Sequence, residues 1–174
     1  MGCSQRKQVR NKKEIEKRIS PVLQQKRTYR QEKIERVDSI KHFLHTNENA
    51  MHEEDIFKEY MNLYNEFKLY SFDSAYHYAT QLCKIANELN SSGYKISAKT
   101  QLGYILARGG FFKEAIDTLS SIQIEKDALP DVVLSNYYIS FGRVYHDLAD
   151  YTKDDVFSAK YNKLGNELLR SEER

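Results

Sequence analysis

Beyond residue 51, apolar side chains recur every three or four residues in six successive blocks, each closed by a short polar or glycine-containing break. That spacing lines the apolar groups along one stripe of an α-helix, whereas a strand needs alternation with a period of two. Stripes of this kind have to be covered by neighbouring helices. The blocks therefore predict an all-α fold of antiparallel helical hairpins. Ile56, Phe57, Tyr60, Leu63, Tyr64 and Phe67 mark the first helix. The second follows Asp73, the expected cap, through Ala75, Ala79, Leu82, Cys83 and Ala86, and ends at residues 90–93, where Gly93 suits a left-handed terminal position. Residues 94–108 and 111–121 form the next pair around Gly109-Gly110, and 132–148 and about 156–169 form the last around a polar turn at 150–155.

The preceding stretch reads differently. Ile15, Ile19, Leu23, Ile34, Val37, Ile40 and Leu44 also recur at helical spacing, but Ser20-Pro21 resembles a cap followed by a first helical residue. A short helix before Pro21, a longer one to about His45, and a linker at 46–49 are expected. The predicted organisation is thus a flexible basic leader at 1–10, a helical extension at 11–50, and a domain of about three hairpins at 51–174. Charge divides along similar lines: Met1–His45 carries thirteen Lys or Arg against five Asp or Glu, and the remainder carries fourteen against twenty. The net +2 therefore hides a basic first part and an acidic second.

The residues offer little for catalysis. Of the histidines His42, His45, His52, His77 and His146, only the first two lie at helical spacing, without the Cys or carboxylate partners of a zinc site. There is no phosphate-binding loop, nucleophile elbow or dinucleotide fingerprint. Cys83, set among small and apolar neighbours, reads as a buried thiol. We expect no enzyme activity, no metal and no cofactor. Specific nucleic-acid binding is not expected, because the bases of the first part are distributed around a helix and match no reader motif. No run approaches the eighteen apolar residues of a membrane span. In Met1-Gly2-Cys3-Ser4-Gln5-Arg6, Arg6 stands where a myristoylation signal has Ser or Thr. Cys3 instead looks like the lipid-bearing first residue of a bacterial lipoprotein, and the expectation is that Met-Gly stands in place of its export signal.

The hairpins resemble the tetratricopeptide repeat (TPR), a 34-residue helical pair with small residues where its helices come closest. Residues 96–129 carry the resemblance best: Leu102 and Gly103 in the paired large and small positions, Leu106 in the next large one, Gly110 at the turn, and Ala115 and Leu119 on the second helix. Phe141, Gly142 and Tyr145 repeat the register, with Ala149 at the turn position and Asp154 in the small place of the following helix. The resemblance implies a short right-handed superhelix with a concave face built from the first helices. On that face Glu59, Asn62, Asn65, Lys99, Gln101, Tyr104, Asn136, Ser140 and Arg143 are the candidate protein-binding residues. Tyr104 and Arg143 stand out, since an aromatic plane and a guanidinium make good peptide anchors.

Arg36-Val37-Asp38-Ser39-Ile40, residues 71–79 and residues 145–151 further resemble TPR regulatory proteins of Bacteroidetes. That resemblance implies a noncatalytic protein- or peptide-binding scaffold, the periplasmic, membrane-associated sensing region of a signalling protein, tethered through Cys3 or flanking segments. The alternatives are a structural spacer and a homodimerisation module, the latter motivated by the apolar residues of 34–44.

Overall fold

The structure is a computed structural model that describes residues 3–47, 50–124 and 129–172, without the side chains of 3–16, 18 and 172. Glu48 and Asn49 of the expected linker, and Asp127 and Ala128 before the fifth block, lie outside the described residues. Packing divides the chain into two units, Met1–His45 and Thr46–Arg174.

The described residues of the first unit belong to one helix, α1, Cys3–Asn47, with Pro21 inside it. The break expected at Ser20-Pro21 does not occur. Proline removes one backbone donor and crowds the carbonyl four residues earlier, which belongs to Lys17. Lys17 is exposed, so water can satisfy that carbonyl, and good helix formers such as Leu23, Gln24, Gln25 and Lys26 resume at once. Helix is already present at Cys3, within the stretch read as a leader.

Among the described residues of the second unit six helices follow: α2 Glu53–Phe67, α3 Phe72–Glu88, α4 Ser92–Arg108, α5 Phe112–Ser120, α6 Asp131–Tyr151 and α7 Asp155–Glu172. Their ends have local causes. Three acids, Glu53, Glu54 and Asp55, occupy the first turn of α2, where the helix dipole favours negative charge. Ser71, rather than Asp73, caps α3, its hydroxyl accepting the Ser74 N–H at 3.4 Å. Between α3 and α4 it is Asn90, at φ 49°, that takes the left-handed conformation. Gly93 already lies inside α4. After α4 the chain reverses through Gly109 and Gly110, the latter at φ 84°, a value L side chains rarely adopt.

α2 packs on α3, α4 on α5 and α6 on α7, and the pairs are joined through α3 on α4, α5 on α6 and α4 on α6. This is an array of antiparallel hairpins in which each first helix also meets the preceding pair. Two core clusters result. Phe57, Tyr64, Ala75, Ala79 and Leu82 pack with Ala98 and Ile105 of α4. On the other side Ile96, Leu106 and Ala107 of α4 pack with Ala115, Leu119, Tyr137, Phe141 and Val144. Because α4 is shared, it is buried on two sides, and even Thr100 is only 1% exposed, its hydroxyl without a hydrogen-bond partner. Tyrosines supply bulk with a polar tip: the Tyr64 hydroxyl donates to the Gln101 carbonyl at 3.2 Å and the Tyr137 hydroxyl to the Leu119 carbonyl at 3.3 Å.

Glycines mark the closest approaches. A Cβ added to Gly103 would lie 2.5 Å from Leu119 Cγ. The side chain over Gly103 is thus Leu119, one helical turn beyond Ala115, the residue expected there. At the α6–α7 crossing a Cβ on Gly142 would lie 3.1 Å from the Gly165 carbonyl oxygen, and one on Gly165 would lie 2.9 Å from that of Gly142. Ala149 is buried inside α6 instead of forming the turn. Alanine favours continuation, and the helix proceeds to Tyr151. Asp154 is not a packing residue either: its Oδ1 accepts the N–H groups of Val156 and Phe157, both at 3.0 Å, and so caps α7.

Candidate functional site

The first helices of the three hairpins, α2, α4 and α6, are brought side by side by packing of α4 on α6 and by the Tyr64–Gln101 hydrogen bond between α2 and α4. The Phe57 and Tyr94 rings add a second α2–α4 contact, edge to face at 4.8 Å. On α2, Glu59 is half-buried and accepts a hydrogen bond from the exposed Asn62 at 3.2 Å. Asn65 is exposed and accepts one from Lys68 at 2.8 Å. Gln101 and Tyr104 of α4 are half-buried, and Tyr104 packs against the first core cluster. On α6, Asn136 and Arg143 are exposed and Ser140 is half-buried. Their i, i+4, i+7 spacing puts these three on one stripe.

Burial sets the electrostatics beneath this surface. Tyr64, with no exposed surface, has its phenol pushed far above the ordinary range by loss of water, with a smaller contribution from Tyr104. Tyr137 is pushed up to about 12 by the same cause. Both therefore stay neutral donors, which suits the backbone hydrogen bonds they make.

Of the remaining residues singled out in the sequence, Leu102 and Tyr145 are half-buried and Leu106, Ala115, Leu119, Phe141 and Gly142 are buried. Gly110 sits in its turn at the surface. Tyr145 stacks between Phe141 and Tyr161, at 5.3 and 6.5 Å. Cys3 begins α1, and its side chain lies outside the described residues.

Lys99 does not share the surface of Tyr104. Positions 99 and 104 are about 140° apart around an ideal helix, and the Lys99 ammonium donates to the Ser121 hydroxyl at 2.9 Å, beside the end of α5. There it lines a cleft of about 370 Å³ between α3, α4 and the segment leaving α5, together with Cys83, Asn87, Lys95, Ser121 and Gln123. Sequence reasoning placed Cys83 in the core and Lys99 on the binding face, and so missed this cleft. Lys95 and Lys99, one turn apart on α4, were the available signal. Burial pushes the Cys83 thiol up to about 11 despite the opposing pull of Lys99, which keeps it protonated and a poor nucleophile at neutral pH.

His146 Nδ1 pairs with Asn162 Oδ1 at 2.9 Å between α6 and α7, a packing role. Among the described residues no three His, Cys, Asp or Glu side chains converge as a metal site. No described helix is long and apolar enough to cross a membrane.

No curated protein and no solved structure is a significant match to the chain. Residues 23–172 match the family model described as the SusR N-terminal TPR domain. The match takes in the second half of α1 as well as α2 to α7. The chain belongs to that family, and is accordingly a helical-repeat scaffold of the protein- and peptide-binding kind.

Proposed function

We propose that this member of the SusR N-terminal TPR domain family binds a protein or peptide across the exposed side of α2, α4 and α6, as the extracytoplasmic sensing region of a membrane-associated bacterial regulator. The observation that carries the binding surface is the half-buried Tyr104 on α4, the middle of the three first helices, whose neighbours α2 and α6 carry exposed Asn62 and Asn65 and exposed Asn136 and Arg143. An aromatic ring held by packing on one side presents its other face at little entropy cost. Arg143 supplies the charge-assisted hydrogen bonds that fix a peptide carbonyl or carboxylate. The extracytoplasmic place and the signalling role are supported by the resemblance to Bacteroidetes regulators, with Cys3 as the site of lipid attachment.

Cross-linking in native periplasm followed by capture tests this reading. The expected result is one reproducible partner whose recovery falls about tenfold or more with Tyr104→Ala and Arg143→Ala. Unchanged recovery with both substitutions, in protein that remains folded, would remove the surface. A second reading is favoured by the exposure of Ile19, Val22, Leu23 and Ile34 on α1: self-association through that helix. Sedimentation showing a monomer at all micromolar concentrations would exclude it.

A further inference from the structure

The cleft beside Lys99 is distinct from the first-helix surface, and its chemistry is unlike that of the unit around it. From Thr46 to Arg174 the chain carries fourteen Lys or Arg and twenty Asp or Glu, yet no acid is among the described residues lining this cleft. Three lysines elsewhere in the unit are paired with acids: Lys58 with Asp55 at 2.8 Å, Lys113 with Asp117 at 2.5 Å and Lys163 with Glu167 at 4.0 Å. The two cleft lysines have neutral partners. Lys95 donates to Asn90 Oδ1 at 2.8 Å and Lys99 to Ser121 Oγ at 2.9 Å. Such hydrogen bonds hold an ammonium in place without cancelling its charge.

Lys95 and Lys99 are one turn apart on the same side of α4, about 5–6 Å between Cβ atoms. Both are half-buried, so less solvent screens them than screens a fully exposed pair. Asn87 and Gln123 add neutral amide donors to the lining, while the Ser121 hydroxyl donates to the Thr118 carbonyl at 2.7 Å and accepts from Lys99. A volume of about 370 Å³ lies in the range of small-molecule sites and is too small for a folded partner.

We propose that this cleft binds a small dianion, a phosphate monoester or a dicarboxylate, gripped by Lys95 and Lys99, the latter held by Ser121, and oriented by the amides of Asn87 and Gln123. Either chemistry presents two negative charges to two ammonium groups, and the ligand would sit against α3, α4 and the exit of α5 together. Binding would then tie the first hairpin to the second, giving the scaffold a small-molecule input separate from its peptide surface.

Titration of the full chain with inorganic phosphate and, separately, with succinate at constant ionic strength, followed by amide NMR shifts, tests the proposal. At least one probe should move Cys83, Lys95, Lys99 and Gln123 along saturating curves. Lys99→Gln and Lys95→Gln should each weaken binding about tenfold, while Lys113→Gln, which removes an ion-paired lysine elsewhere, should leave it unchanged. Saturation by phosphate alone or by succinate alone would support the site and assign its ligand chemistry. Non-saturating shifts with both probes in the unaltered protein, or binding that survives both cleft substitutions, would overturn it. Because these substitutions leave Tyr104 and Arg143 untouched, loss of the cleft would leave the peptide-binding reading standing, and loss of partner capture would leave the cleft.

Discussion

The second and third hairpins share the same large-then-small signature on their first helices, Leu102-Gly103 and Phe141-Gly142, yet close in different ways. In the second, α4 ends at Arg108, two glycines turn the chain, and Gly103 receives the side chain of Leu119. In the third, α6 runs on to Tyr151, the turn comes later, and Gly142 meets the backbone of Gly165. The lesson is that the signature on a first helix marks a close approach but does not select the opposing residue. That residue depends on where the turn falls, since each residue added before the turn displaces the partner helix along the crossing.

The contrast yields an ordered set of expectations. Gly165→Leu should be the most damaging, costing about 3 kcal/mol in urea unfolding, because the Gly142 carbonyl that blocks it is backbone and cannot change rotamer. Trimming His146 to Ala alongside it, the side chain that also meets this position, should not restore stability. Gly103→Ala should cost about 2 kcal/mol, and here the obstacle is a removable side chain. Combined with Leu119→Ala, which alone should cost about 3 kcal/mol, it should give a total loss about 1 kcal/mol smaller than the sum of the two. Simple additivity would break the claim that Leu119 fills the space over Gly103. Asp154→Ala should cost about 1 kcal/mol and Asp154→Asn only a few tenths, the pattern of a cap that belongs to the late turn. The smallest effect should be a gain: Thr100→Val, which removes the unpartnered hydroxyl of doubly buried α4, should stabilise by about 0.5–1 kcal/mol, read as a raised thermal midpoint.

The fold was legible because helical periodicity is local. Phe57, Tyr64, Leu82, Ile105, Leu119 and Val144 all sit on stripes readable in the sequence, and all are buried. Boundaries were less so. Ser71 and Asp73 are both good caps, and only the bond from Ser74 N–H to Ser71 distinguishes them. Pro21 reads as a start but stands inside α1, because one lost hydrogen bond at an exposed position does not stop a strong helix. Gly165 went unnoticed for a different reason: its partner lies twenty-three residues earlier, at Gly142, across a turn whose place could not be read from Ala149. For the surface, membership of a first helix could be read for Gln101, Tyr104 and Arg143. The side on which Lys99 emerges could not, because on a helix packed against α3, α5 and α6 alike the apolar stripe no longer defines one inner and one outer face.

The central claim is that the chain after residue 51 is a stack of hairpins closed at glycine crossings, with α6 and α7 meeting backbone to backbone. Its most direct test is a nuclear Overhauser measurement between the α-protons of Gly142 and Gly165 in the assigned protein. The account predicts a clear cross-peak, accompanied by one from the Gly103 α-protons to the Leu119 methyl groups. Resolved glycine signals without either contact, in a helical and folded sample, would contradict it.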